Sequence, residues 1–123
     1  MAETTYFFDT YAIIEILLGN ENYAAYSDKY SVLTKLNLFE MYYSVLRDFG
    51  ENKGKEAFDK FYDSAVDYGP EVIKEAAKFR LENKKKNLSM TDCIGYIISK
   101  RLRIRFLTGD KEFKDMGNVE FVK

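Results

Sequence analysis

Four acidic residues of this chain have the type and the spacing to act together in catalysis. They are Asp9, Glu40, Asp92 and Asp110. Asp9 directly follows the aromatic run 6–8, which is typical of a buried strand, and Asp110 comes two residues after the predicted strand 104–108. In parallel α/β sheets, ligands bind just outside the carboxyl ends of the strands. We therefore expect the four carboxylates to lie together at one edge of a sheet. Asp92 and Glu40 are expected near the starts of helices that begin at this edge.

Four neighbouring carboxylates predict a particular chemistry. They repel one another, and some of them stay protonated unless a cation neutralises them. Oxygen ligands suit Mg²⁺ or Mn²⁺, which keep several waters and bridge to substrate phosphates. One or two such ions can activate a water and stabilise the leaving oxygen of a phosphodiester. The pattern therefore predicts metal-dependent hydrolysis of a phosphodiester.

Each acidic residue taken alone also has a structural interpretation. Asp9 can cap the helix that follows it, and Asp110 can cap the turn after residues 108–109. Asp92 ends a Ser-Met-Thr-Asp sequence that resembles a capping box. Glu40 can face solvent on the polar side of its helix together with Asn37. Both interpretations stay open for each residue, and only the shared location favours a common site.

The composition excludes several classes of active site. The chain has no histidine, which excludes Ser-His-Asp triads, Cys-His dyads and histidine-ligated zinc. Its single cysteine, Cys93, excludes thiolate zinc sites and internal disulfides, and fits a reducing compartment. No apolar run has the length needed to cross a bilayer, and no secretory signal is recognisable. We therefore expect a cytoplasmic protein without a membrane segment.

The formal net charge of −1 does not by itself indicate a nucleic-acid-binding protein. Positive charge is concentrated in the last third, in the lysine triplet 84–86 and in residues 100–105. For the triplet alone, the sequence favours a solvated helix end. Any nucleic-acid affinity would come from a local basic patch and would weaken with added salt.

Strands and helices alternate along the chain. Strands are predicted at 6–8, 30–33, 104–108 and 119–122, with a further short one at 66–68. Thr34 is expected to cap a helix, 50–54 to be a loop, Pro70 to open a helix that buries Ile73, and Ser89 to begin another. This alternation predicts a single α/β domain over 1–123, a three-layer sandwich whose parallel sheet of about four to five strands is flanked by helices.

Four motifs together resemble the PIN domain, the metal-dependent ribonuclease fold of VapC-type toxins. Phe8-Asp9-Thr10 matches the opening hydrophobic-Asp-Ser/Thr, and residues 34–40 match the segment that carries the acidic glutamate. Residues 89–93 match the third acid at the start of a helix. Residues 106–113 (F-L-T-G-D-K-E-F) match the closing strand-Thr-x-Asp-x-x-Phe and are the most specific of the four. The order and spacing of the four motifs and the total length of the chain resemble those of the family over essentially the whole chain.

The resemblance implies cleavage of RNA by Mg²⁺- or Mn²⁺-activated water. Asp9, Glu40, Asp92 and Asp110 would be catalytic and would hold the metal, with Asp115 as a substitute for Asp110. Thr10, Thr108 and Asn37 would orient these groups. Lys111, Arg103 and Arg105 would hold the RNA backbone, although a solvated helix end and strand edge explain them equally well. The resemblance also implies a protein antitoxin as partner and a homodimer.

Two alternatives remain within the family and one lies outside it. The chain could be a PIN-like module that binds RNA or protein with a weak metal site, or an RNA-processing PIN nuclease without an antitoxin. A phospho-receiver domain of similar length would need an acidic pair after its first strand. Phe8-Asp9 offers only one acid there. The receiver is therefore set aside.

Overall fold

The computed structural model describes residues 5–123 of the chain. Within this range one four-stranded sheet is formed, in the spatial order β2-β1-β3-β4. Its strands are β1 (Thr5–Phe8), β2 (Tyr30–Val32), β3 (Arg105–Thr108) and β4 (Val119–Phe121). Every pairing is parallel, and Phe7 of β1 lies opposite Val32 on one side and Phe106 on the other. The predicted parallel sheet is confirmed, at the lower end of the expected strand number.

Helices cover both faces of this sheet. The α-helices are α1 (Thr10–Leu17), α2 (Lys35–Phe49), α3 (Glu51–Phe61), α4 (Pro70–Glu82) and α5 (Met90–Leu102). Short 3₁₀ segments lie at Glu21–Tyr26, Tyr62–Ser64 and Lys111–Phe113. None of the helices within 5–123 combines the length and the apolar character that crossing a membrane requires.

The helix starts follow from local sequence. Thr34 caps α2 in a capping box with Asn37, and Ser89 caps α5 in a capping box with Asp92. Pro70 occupies the first turn of α4, where its missing N–H costs nothing. These signals were visible in the sequence, and the predicted starts of these three helices are confirmed.

The core consists of two apolar layers, one on each face of the sheet. Phe7 and Phe106 point to the layer under α4 and α5, and their rings stack with centroids 5.6 Å apart. Phe8 and Leu107 point the other way, to the layer under α1, α2 and α3. Because neighbouring strand residues alternate between the faces, two buried faces need the continuous apolar strands seen in the sequence. The three-layer sandwich is thereby confirmed.

Three local predictions were wrong. The expected loop 50–54 is mostly helix, because α3 begins at Glu51 and Gly50, with φ 89°, is its N-cap. The expected strand 66–68 is absent from the sheet, and only a single bridge joins Leu33 to Ala65 there. Ile73 was expected in the core but is 51% exposed on α4. Its surroundings form a groove that is described below.

Candidate active site

Asp9 lies at the carboxyl end of β1 and is almost completely buried, with 3% of its surface exposed. One of its oxygens, Oδ1, accepts a hydrogen bond from the N–H of Thr10 at 2.8 Å and so caps α1. The other, Oδ2, accepts a hydrogen bond from the hydroxyl of Thr108 at 2.7 Å. The capping interpretation is correct, and the same carboxylate also joins the ends of β1 and β3.

Glu40 lies in the second turn of α2 and points toward α1. Its Oε1 accepts a hydrogen bond of 2.6 Å from the hydroxyl of Thr10. The Thr10 hydroxyl in turn accepts a hydrogen bond of 3.0 Å from the side-chain amide of Asn37. Asn37 is fixed by the capping box, in which its Oδ1 accepts the N–H of Thr34 at 2.9 Å. Glu40 is half-buried, so the solvent-facing alternative does not describe it.

Asp92 and Asp110 each hold a backbone N–H near the start of a helix. The Oδ2 of Asp92 accepts the N–H of Ser89 at 2.9 Å. The Oδ1 of Asp110 accepts the N–H of Glu112 at 3.0 Å, and the Asp110 N–H donates to the hydroxyl oxygen of Thr108 at 3.1 Å. Thr108 therefore connects Asp110 to the carboxylate of Asp9.

The electrostatics show that these carboxylates are close enough to affect one another. Burial raises the pKa of Asp9 to about 8, and the negative charges of Asp92 and then Asp110 contribute to the rise. The hydrogen bonds from Thr108 and from the Thr10 N–H oppose it. Burial also raises the pKa of Asp92, helped by Asp110 and Glu40. The four acids thus form one mutually repelling group.

The donor atoms of this group fit a hard divalent cation, but their arrangement is not yet that of ligands. Among residues 5–123, no three acidic side chains converge closely enough to hold a metal ion as they stand. Hydrogen bonds explain this, because Glu40 is turned to Thr10 and Asp92 to its own helix terminus. Carboxylate oxygens are the ligands that Mg²⁺ and Mn²⁺ prefer, and a cation would relieve the buried repulsion. Side-chain rotations would be needed to complete the site.

The structure separates the three basic residues considered for RNA binding. Lys111 is exposed and follows Asp110 directly. Arg105 is the first residue of β3 and lies about 10 Å from the carboxyl end of that strand, at about 3.3 Å per residue. The guanidinium of Arg105 contacts Glu120 at 3.4 Å. Arg103 ends α5, about 16 Å from Asp92 at the rise of a helix. Only Lys111 lies beside the acids.

The supporting residues named from the sequence lie at the site, and one further residue joins them. Thr10, Asn37 and Thr108 each contact an acid or its partner, as described above. Sequence reasoning did not include Thr34, which is fully buried and orients Asn37. The signal available was the Thr-x-x-Asn capping box itself. Asp115 is exposed and is not among the charges that raise the pKa of Asp9 or Asp92.

Comparison with known proteins gives one family and a set of similar structures. A family model described as PIN domain matches residues 6–119. A comparison with curated protein sequences finds no match.

Three similar solved structures cover nearly the whole chain. A toxin–antitoxin complex from Klebsiella pneumoniae matches with a TM-score of 0.74 and 18% identity, over 94% of this chain and 95% of that one. VapBC2 from Rickettsia felis, bound to a DNA fragment from its promoter, matches with a TM-score of 0.73 and 16% identity, over 97% of this chain and 99% of that one. VapC20 of Mycobacterium tuberculosis, a Sarcin-Ricin loop cleaving toxin, matches with a TM-score of 0.75 and 15% identity, over 96% of this chain and 99% of that one. At these identities the likeness is one of fold.

Proposed function

Because the chain belongs to the PIN domain family, we propose that it is an endoribonuclease that uses Mg²⁺ or Mn²⁺ to hydrolyse RNA phosphodiester bonds. The observation that supports this most is the burial of Asp9 beside Asp92 and Asp110 at the carboxyl edge of the sheet, with Glu40 in turn acting on Asp92. Carboxylates buried against one another are costly without a cation, and perturbed groups of this kind are concentrated at functional sites.

The proposed roles follow from the contacts. A divalent ion, when bound, would activate a water and stabilise the leaving oxygen. Asp9, Glu40, Asp92 and Asp110 would hold it. With its pKa near 8, Asp9 keeps its proton at neutral pH until a positive charge lies beside it. Thr108 fixes the orientation of Asp9, while the hydroxyl of Thr10 fixes that of Glu40.

We further propose that the protein is a toxin of the VapC type, neutralised by a protein antitoxin in the cytoplasm. The similar structures from Klebsiella pneumoniae and Rickettsia felis are toxin–antitoxin assemblies, which supports this partner. On α2, Phe39, Tyr43 and Leu46 lie at helical spacing and are 73%, 56% and 39% exposed. An exposed apolar row of this kind is suited to a protein contact, either with an antitoxin or with a second copy in a homodimer.

A second function is a PIN-like module that binds RNA or protein and does not cleave. One observation favours it, namely that no three acidic side chains within 5–123 are already arranged to hold a metal. A PIN nuclease that processes RNA without an antitoxin would share the site and differ only in its partner.

Cleavage of a mixed RNA pool separates these functions. The purified protein is incubated with Mg²⁺ or Mn²⁺ and, in parallel, with a chelator. Asp9→Asn and Asp92→Asn are compared with Asp115→Asn, which removes an exposed acid from the turn before β4. We expect cleavage only with metal, lost in the first two variants and kept in the third. Unchanged metal-dependent cleavage by both Asp9→Asn and Asp92→Asn would contradict the assignment, and intact RNA in every sample would favour the binding module.

A further inference from the structure

A groove with a volume of about 650 Å³ lies between α4 and α5. Its floor is apolar and includes the buried side chains of Leu88 and Ile94. Ile73, Leu81 and Met90 line it as well and are 51%, 69% and 58% exposed. A cavity of this size is in the range of small-ligand sites and is large enough for a nucleotide.

The charged side chains that line this groove are all positive. Arg80, Lys84 and Lys86 line it, and no acidic residue does. In the described part of the chain none of these three side chains takes part in a salt bridge. The groove between α1, α2 and α3 is different, because its lining carries both signs: Asp48, Glu56, Lys53 and Lys60. The groove between α4 and α5 is therefore the one that favours an anionic occupant.

The loop of residues 83–88, which carries Lys84 and Lys86 at the end of this groove, is attached to the acidic cluster. Lys86 donates from Nζ to the carbonyl oxygen of Glu112 at 3.0 Å, and the N–H of Asn87 donates to the Glu112 carboxylate at 3.3 Å. Glu112 is bonded in turn to Asp110, while the loop leads directly into the helix start that carries Asp92. These bonds hold the loop beside the two acids.

We infer that this groove binds the RNA strand next to the scissile phosphate, with Lys84 and Lys86 contacting its phosphates. The inference rests on the proposed function, because it takes RNA as the substrate of the acidic cluster. A strand whose scissile phosphate lies at the carboxylates must lead its next phosphates past that negative edge. Cations placed there offset the repulsion.

The other groups of the groove suit a nucleotide. An apolar floor accommodates a base, and the guanidinium plane of Arg80 is a stacking surface for one. The amide of Asn87 lines the groove and can donate to and accept from base edges. An acidic peptide would satisfy the same charges. RNA is favoured because the hydrogen bonds of Lys86 and Asn87 to Glu112, and of Glu112 to Asp110, hold the end of this groove beside the acidic cluster.

Binding is tested with Asp9→Asn as the common background, so that the RNA is not consumed. A short fluorescein-labelled single-stranded RNA of mixed sequence is titrated in Mg²⁺, and anisotropy is recorded at several salt concentrations. Adding Lys84→Ala and Lys86→Ala is expected to weaken binding about tenfold at low salt. It should also reduce the slope of log K against log salt by about 1.4, that is about 0.7 for each lost phosphate contact.

Two further variants make the result specific. Lys53→Ala with Lys60→Ala removes the same charge from the groove between α1, α2 and α3, and RNA affinity should stay unchanged. Leu81→Glu keeps every lysine but adds a negative charge at an exposed position of the groove, and should weaken RNA binding. Circular dichroism melting confirms that each variant is folded.

Three outcomes would overturn the inference, and they can be told apart. Equal RNA affinity with and without Lys84 and Lys86 shows that the groove does not hold the strand. Lysine-dependent binding of poly-L-glutamate, together with unchanged RNA binding, assigns the groove to an acidic protein segment. If neither the background protein nor the wild-type protein binds or cleaves the RNA, RNA is not the substrate and the proposed function itself fails.

Discussion

Replacing Asp9 by asparagine should stabilise the metal-free protein at neutral pH, although it removes a proposed metal ligand. The carboxyl is 3% exposed, and burial and its acidic neighbours raise its pKa from 3.8 to about 8. Asparagine has no charge to bury, and it is as good an N-cap for α1 as aspartate. The variant therefore removes the electrostatic cost and keeps the helix start.

The sign and size of this effect follow from proton linkage. Because the folded-state pKa lies above the unfolded one, the folded protein holds the proton more tightly. The stability that the wild-type protein has with Asp9 protonated is fully present below about pH 4 and is lost as the pH rises through 8. At pH 7 only the part of the pKa shift that lies between 3.8 and 7 has an effect, which is about three units. At about 1.4 kcal/mol per unit, the wild-type protein has by then lost roughly 4 kcal/mol of its free energy of unfolding. Asparagine places its Nδ2 donor where Oδ2 of Asp9 accepts the Thr108 hydroxyl, so this hydrogen bond is lost, at about 1 kcal/mol, and the net gain is roughly 3 kcal/mol.

Urea unfolding in a chelating buffer measures this difference. Wild-type protein, Asp9→Asn and Asp115→Asn are compared at pH 5, 6, 7 and 8. The stability of Asp9→Asn relative to wild type should increase steadily with pH, whereas that of Asp115→Asn should not, because its carboxyl is exposed. If the two proteins are equally stable, or if their difference does not change between pH 5 and 8, the carboxyl of Asp9 does not carry a raised pKa in the folded protein.

Three further predictions concern the same site and its surroundings. Mg²⁺ should raise the melting temperature of wild-type protein and not that of Asp92→Asn, since only a bound ion stabilises the fold; equal shifts measured by scanning calorimetry would contradict the ligand role. Thr108→Val keeps the shape but removes the hydroxyl between Asp9 and Asp110, and should slow RNA cleavage about tenfold to a hundredfold, as loss of a supporting group does. Gly54→Leu should lower the urea midpoint, because a Cβ there would lie 3.1 Å from the Tyr42 ring; an unchanged midpoint would show that α2 and α3 are not tightly packed.

Most of the fold was predictable because its signals are local. The four strands of the sheet are short segments rich in aromatic and β-branched residues, and they appear within about two residues of their expected positions. Thr34, Pro70 and Ser89 fix helix starts through contacts with their own neighbours along the chain. The approach of Asp9 to Asp110 follows from parallel strands sharing one carboxyl edge, which alternation of strands and helices already implies.

The errors occur where a distant contact decides the structure. Gly50 and Gly54 resemble a loop, yet Gly54 is a buried helical position where α3 packs closely against Tyr42. Arg103 and Arg105 are near Asp110 in sequence, but α5 leads away from the acidic edge and β3 returns to it, so both residues lie at the far end.

The lysine triplet shows the opposite case, since the role proposed for it is one that sequence alone did not favour. Its composition indicated a solvated helix end, and nothing within the triplet indicates otherwise. The bonds from Lys86 and Asn87 to Glu112 join segments 25 and 26 residues apart, and only they place the loop beside the acids.

Metal-dependent cleavage is tested most directly by the rate of RNA cleavage as Mg²⁺ is added to a chelated sample, for wild-type protein, Asp92→Asn and Asp115→Asn. We expect a rate that rises and saturates with Mg²⁺ in wild-type protein and Asp115→Asn. In Asp92→Asn the rate should be at least about a hundredfold lower at every concentration. Cleavage that persists in the chelator, or that is undiminished in Asp92→Asn, would contradict a metal-dependent nuclease built on this acidic cluster.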